Sequence, residues 1–112
     1  MPQALKDDFL NVNRDTAALH IMYERDAYRM QTFKDWNDST LRSIRAKSLI
    51  ICGDQDVNTP EHAVAMYRLI PDCRLAIIPG GHGTYLGEVI ANDKEKWQLE
   101  FLTNLLVDFL DK

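Results

Sequence analysis

The spacing of apolar residues along the chain changes character near residue 46. Before that point apolar side chains recur every three or four positions, which is the period of an amphipathic helix. One such run starts at Pro2, a residue suited to the first helical turn. After a break that ends in an N-cap near Asp15, a second run predicts a helix over residues 16–33. A short third helix is predicted to begin at Asp38, with the Asp38 side chain as its cap.

After residue 46 the apolar residues form two short, continuous runs, 48–52 and 74–78. Between them Thr59 is placed to cap a helix that starts at Pro60 and runs for about ten residues. The order strand, helix, strand predicts a βαβ unit with two parallel strands.

A last helix is predicted to open at Asn92 or Asp93, because large apolar residues then recur every four positions from Trp97 to Phe109. Its wide apolar face must pack on something large, most simply the sheet. Strands that are apolar without alternation are typical of parallel strands covered on both faces. Two strands alone leave open edges, so the βαβ unit is interpreted as the end of a larger sheet.

Composition narrows the class of protein. Thirteen Lys and Arg against 17 Asp and Glu give a net charge of −4, which argues against nucleic acid or an anionic membrane as a partner. No apolar run approaches the roughly 20 residues of a membrane span. The N-terminal residues are acidic where a signal peptide would be cationic, and two cysteines are too few for a disulfide framework. These features predict a cytoplasmic protein.

The loops that leave the two strands, 53–60 and 79–85, carry the candidate chemistry. Both loops leave parallel strands at the same edge of the sheet, where catalytic groups of open α/β sheets collect. The first loop offers Asp54 and Asp56, and the second offers His82. A carboxylate beside an imidazole fixes its tautomer and stabilises the imidazolium.

These loops and strands, residues 46–61 followed by 75–83, resemble the C-terminal part of the α/β-hydrolase superfamily. In that family a Gly-x-x-Asp turn presents the triad acid and a later Gly-His turn presents the triad base. The resemblance implies that Asp56 is the acid and His82 the base. It also implies an α/β fold, in which a lid-like helical segment (1–45) precedes the βαβ-α end of a hydrolase sheet (46–112).

The resemblance implies hydrolysis of an ester, amide or related bond in a small-molecule substrate, with no cofactor and no metal. Tyr85 and Met22 are candidate substrate-binding residues. The family's nucleophile lies on a Gly-x-Ser-x-Gly elbow upstream of the acid, and this sequence has none. The chain therefore offers two of three triad members and is expected to be inactive alone. The alternative is a non-catalytic, hydrolase-like module that forms a homo-oligomer through its open sheet edge.

The same residues admit other interpretations. Asp54, Asp56 and His82 could bind a metal, and the glycine-rich loop around His82 could cradle a phosphate, although it lacks the Lys-Ser/Thr ending of a P-loop. Cys52 is expected to be an inert core thiol, and Cys73 has no evident activating partner. His62 is expected to serve on the surface, and His20 is expected either to pack against its helix neighbours or to face solvent.

Overall fold

The computed structural model describes residues 1–88 and 97–112, and the chain divides into two units, Met1–Asp35 and Trp36–Lys112. The sequence placed this boundary at residue 45. The structure places residues 36–45 with the second unit, because helix α3 (Asp38–Arg42) contacts helix α4 (Pro60–Leu69).

The first unit is a pair of contacting helices, α1 (Gln3–Val12) and α2 (Thr16–Thr32). The predicted break and cap before α2 are confirmed, since the Asp15 carboxylate accepts hydrogen bonds from the amides of Ala17 and Ala18. Pro2 precedes α1 in an extended conformation instead of forming its first turn. The predicted second helix, residues 16–33, is confirmed to within one residue by α2.

The predicted cap of α3 is wrong. Asn37 precedes the helix in an extended conformation, and Asp38 is already the first helical residue. There its carboxylate faces Arg42 at 4.0 Å, one turn further along the helix. An acid in the first turn favours the helix through the helix dipole instead of through a capping hydrogen bond.

The predicted βαβ unit is confirmed. Strands β1 (Ser48–Gly53) and β2 (Cys73–Ile78) pair in parallel, and α4 connects them. Thr59 caps α4 by accepting a hydrogen bond from the amide of His62 at 3.3 Å, with Pro60 as the first helical residue. The described part of the chain is thus a mixed α/β structure with a two-stranded parallel sheet.

Helix α5 (Trp97–Asp111) packs on this sheet, as its apolar face predicted. Leu102, 1% exposed, meets Ile78 and Tyr85 at the centre of the core, and Ile51, Leu105 and Leu106 surround them. The predicted start of this helix at Asn92 or Asp93 lies outside the described residues. Across the part of the chain that the structure describes, no helix has both the length and the apolar character needed to cross a bilayer.

The two strands are only partly covered. Ile77 of β2 is 41% exposed, and most other strand side chains are half-buried. Non-alternating apolar strands are normally covered on both faces. The helices that the structure describes therefore leave part of the sheet exposed, although strands with this apolar sequence are normally covered on both faces.

Candidate active site

The two loops that follow β1 and β2 are joined through their main chains. The amide of Asp54 donates to the carbonyl of Ile78 and the amide of Gln55 donates to the carbonyl of Gly80, both at 3.0 Å. A Cβ atom on Gly53 would overlap the Gly80 carbonyl oxygen, so this close approach requires glycine.

The second loop contains one extra residue relative to the first. Ser48 and Asp54 donate their amides to the carbonyls of Asp72 and Ile78, each 24 positions later, whereas Gln55 donates to Gly80, 25 positions later. The added residue falls at Gly80, whose φ is 131°. Residues other than glycine rarely adopt this backbone conformation.

The expected convergence of acid and histidine is present in the structure. The Asp56 Oδ1 atom lies 2.8 Å from His82 Nδ1, although the two residues are 26 positions apart. The Asp56 side chain is 3% exposed and the His82 side chain is 68% exposed. The carboxylate is thus enclosed by its loop, while the imidazole beside it faces the surroundings.

The surroundings of Asp56 keep it ionised. Burial disfavours the charged form, but the hydrogen bond to His82, the amides of Gly53 and Asn58, and the charge of His82 outweigh it. Together they hold the pKa of the Asp56 carboxyl below its ordinary value. An ionised carboxylate can only accept, so Nδ1 of His82 carries the shared proton. In the neutral imidazole the Nε2 lone pair is then available as a base.

The histidine's partner is Asp56, not Asp54. The Asp54 Oδ1 atom accepts a hydrogen bond from the amide of Gly80 at 2.8 Å. Asp54 therefore bonds the main chain of the histidine loop, and Asp56 bonds the ring. The amide of Gly80 is thereby occupied, which leaves this glycine-rich loop less suited to cradle a phosphate.

Tyr85 is a candidate substrate-binding residue by sequence, but the structure places it in the core. Gly83 and Gly87 both have positive φ and bracket a single 3₁₀ turn, Thr84–Leu86, which directs the tyrosine ring onto Ile78 and Leu102. The Tyr85 hydroxyl donates to the carbonyl of Ile51 at 3.4 Å. Burial and then the nearby charge of Asp56 raise the pKa of this phenol.

Met22 lies on α2 in the first unit. It lines a surface groove of about 440 Å³ together with neighbours from the same helix, Ala18, Ile21, Arg25 and Asp26. The mixture of apolar and charged groups in this groove singles out no ligand.

Cys52 is the cysteine nearest in sequence to this pair. It is buried, and burial followed by the charge of Asp56 raises the pKa of its thiol. A protonated, buried thiol is a poor nucleophile, which agrees with the expected inert core role. The pKa of the Cys73 thiol is also raised, mainly by burial.

The remaining candidates occupy other positions. His20 pairs with Glu24 on the exposed face of α2 at 3.0 Å, and His62 lies exposed in the first turn of α4. Ser48 bonds the carbonyl of Ala46 at the start of β1, the end of the strand opposite to the two loops. Within residues 1–88 and 97–112 no group of three or more His, Cys, Asp or Glu is arranged to hold a metal ion.

Sequence reasoning missed one further residue of the site. Gln98 is almost completely buried, and its Nε2 donates to the carbonyl of Pro79 at 2.6 Å, which ties α5 to the start of the histidine loop. The signal in the sequence was the position of Gln98, a polar residue next to the regular apolar face of the last helix.

No family model matches the chain, and neither curated proteins nor solved structures provide a match. The function of the site must therefore be argued from its own geometry.

Proposed function

We propose that this chain supplies the acid and the base of a serine-type α/β-hydrolase that acts on an ester, an amide or a related bond. The observation that carries this proposal is the Asp56–His82 pair at the ends of two parallel strands. Enclosure of the carboxylate and exposure of the imidazole are what a general base requires, because the ring must be oriented from one side and reach its reactant from the other.

In the proposed reaction His82 Nε2 takes the proton of a serine hydroxyl as the oxygen attacks the carbonyl carbon. Asp56 stabilises the imidazolium that results, and His82 then gives this proton to the leaving group as the tetrahedral intermediate collapses. Water repeats the cycle to release the acyl group. The serine and the amides that stabilise the oxyanion would come from residues outside this sequence, and no cofactor or metal is needed.

The incomplete cover of the sheet supports this proposal. Ile77 on β2 and the ring pair of Trp97 and Phe101 on α5 are all more than one-third exposed. Further strands and helices of a hydrolase sheet would cover such surfaces. In the same proposal α1 and α2 are a lid-like helical segment, the substrate is a small molecule, and Met22 is a candidate substrate-binding residue.

The experiment begins with the coding DNA upstream of the Met1 codon, translated in the same frame. We expect it to encode a Gly-x-Ser-x-Gly motif. The protein made from the longer frame is then treated with a fluorophosphonate, which forms a phosphorus–oxygen bond to an activated serine and releases fluoride. We expect labelling that is lost in His82→Ala and strongly reduced in Asp56→Asn, with His62→Ala as the matched histidine control.

The 112-residue chain itself should remain unlabelled, because it has no Gly-x-Ser-x-Gly motif to present an activated serine. Absence of the motif, or labelling of the longer protein that is unchanged in His82→Ala, would overturn the proposal.

A second candidate function, a non-catalytic module that self-associates, is favoured by the outer edge of β1. Ser48 and Asp54 direct their amides to β2. Since amide directions alternate along a strand, Leu49 and Ile51 direct theirs away from β2. Such an edge can pair with the same edge of a second copy.

A further inference from the structure

We propose that Asp54 is a positioning residue for His82 and acts through the main chain of Gly80. Its Oδ1 atom accepts the Gly80 amide at 2.8 Å, and Gly80 lies two residues before the histidine. This role concerns the acid–base pair and therefore rests on the proposed function. The hydrogen bond between Asp54 and Gly80 is a feature of the fold itself.

The histidine loop needs such a contact because of its composition. Gly80, Gly81 and Gly83 surround His82, and glycine loses more conformational freedom on folding than any other residue. Within the loop, Thr84 donates its hydroxyl and its amide to the carbonyl of Gly81, on the far side of His82 from Thr84. Order at Gly80 comes from contacts outside the loop.

Asp54 and Gln55 supply it on both sides of one residue. Asp54 accepts the Gly80 amide through its carboxylate, and Gln55 donates its own amide to the Gly80 carbonyl at 3.0 Å. Asp54 is itself fixed, because its amide donates to Ile78 at the end of β2. A hydrogen bond to a carboxylate is also stronger than one between neutral groups.

The two carboxylates of the first loop thus bind different parts of the second loop. Both reach a partner 26 positions later, Asp54 the main chain at Gly80 and Asp56 the ring of His82. The second contact has good geometry only when the first has fixed the loop. Displacement of a catalytic group by about 1 Å is enough to cost about 100-fold in rate, so this prior fixation has functional weight.

The test compares Asp54→Ala with Asp54→Asn in the 112-residue chain. Asparagine keeps an acceptor oxygen at the position of Oδ1, whereas alanine has none. We expect hydrogen exchange of the Gly80 amide to rise about tenfold in Asp54→Ala, the equivalent of one lost hydrogen bond. We also expect the pKa of the Asp56 carboxyl, followed by carbon-13 NMR, to rise in Asp54→Ala as its bond to His82 loosens. Asp54→Asn should move both values back toward those of the wild type, although its neutral acceptor binds the Gly80 amide less strongly than a carboxylate does.

Gln55→Ala is the matched control, because its main-chain bond to Gly80 does not depend on its side chain; it should change neither value. If Asp54→Ala does not fold, Asp54→Ser serves in its place, since serine is well tolerated in turns and its hydroxyl lies one bond closer to the main chain. An Asp56 titration unchanged in the folded variant would overturn the proposal, as would failure of Asp54→Asn to move it back toward that of the wild type. Loss of the fluorophosphonate result would overturn the hydrolase function without altering either NMR value, so the two failures are distinguishable.

Discussion

The Asp56 Oδ1 atom lies 2.8 Å from His82 Nδ1, and the Asp56 side chain is 3% exposed whereas the His82 side chain is 68% exposed. The carboxylate therefore has little direct contact with solvent, whereas the imidazole bound to it is exposed. Its ionisation is consequently linked to the integrity of the fold and to the presence of the ring.

The first prediction concerns stability in acid. The folded-state pKa of Asp56 is lowered, so its contribution to stability is fully present above the unfolded value near 3.9 and is lost as the pH falls through the lower folded value. The difference in unfolding free energy between the wild type and Asp56→Asn should shrink as the pH falls below about 5. Urea unfolding at a series of pH values measures it, and a difference that stays constant down to pH 2 would contradict the assigned ionisation.

The second prediction concerns the close approach at Gly53. In Gly53→Ala the new methyl group overlaps the Gly80 carbonyl oxygen, so the two loops must separate. We expect a loss of at least about 1–3 kcal/mol in the free energy of unfolding, the usual range for overpacking. Gly81→Ala is the matched control, because its Cβ would meet only Thr84 at 3.9 Å, an ordinary contact. Equal melting temperatures for the two variants would argue against the main-chain clash.

The third prediction concerns the core under the loops. Leu102 is the one side chain among the described residues that is fully buried. Leu102→Ala should lower the free energy of unfolding by about 2–5 kcal/mol, through lost burial and the cavity left beside Ile78 and Tyr85. Leu110→Ala, on an exposed position of the same helix, should change it by less than about 0.5 kcal/mol. Chemical denaturation of both variants decides whether α5 is anchored at this point.

The fourth prediction concerns self-association through the outer edge of β1. The 112-residue chain should show a concentration-dependent increase in mass by sedimentation at micromolar concentrations. Leu49→Pro should abolish it, because proline removes an amide that points away from β2 and is tolerated at such an edge. Ile50→Pro should instead disrupt the sheet, since the alternation directs the Ile50 amide to β2. A wild-type chain that remains a monomer would argue against pairing at this edge.

The sequence was sufficient for the elements that local signals define. Continuous apolar runs predicted both strands, and Thr59 followed by Pro60 predicted the start of α4. The contact between Asp56 and His82 was predictable because parallel strands direct their following loops to one edge.

The remaining features depend on main-chain geometry that side-chain identities do not encode. Tyr85 turns inward because Gly83 and Gly87 adopt positive φ, and glycine adopts either sign of φ almost equally well. The contact of Asp54 with Gly80 depends on one extra residue in the second loop, which no periodicity reveals. Asp38 was mistaken for a cap because aspartate is favoured both at the cap and in the first turn.

The pair formed by Asp56 and His82 joins the two loops that follow the strands of one βαβ unit, the loop after β1 and the loop after β2. Its two members are 26 positions apart, and ten of the residues between them form the helix α4, so the entropic cost of bringing them together is modest. The geometry of the pair is therefore a property of this one unit, which needs no other element of the fold to bring the two side chains together.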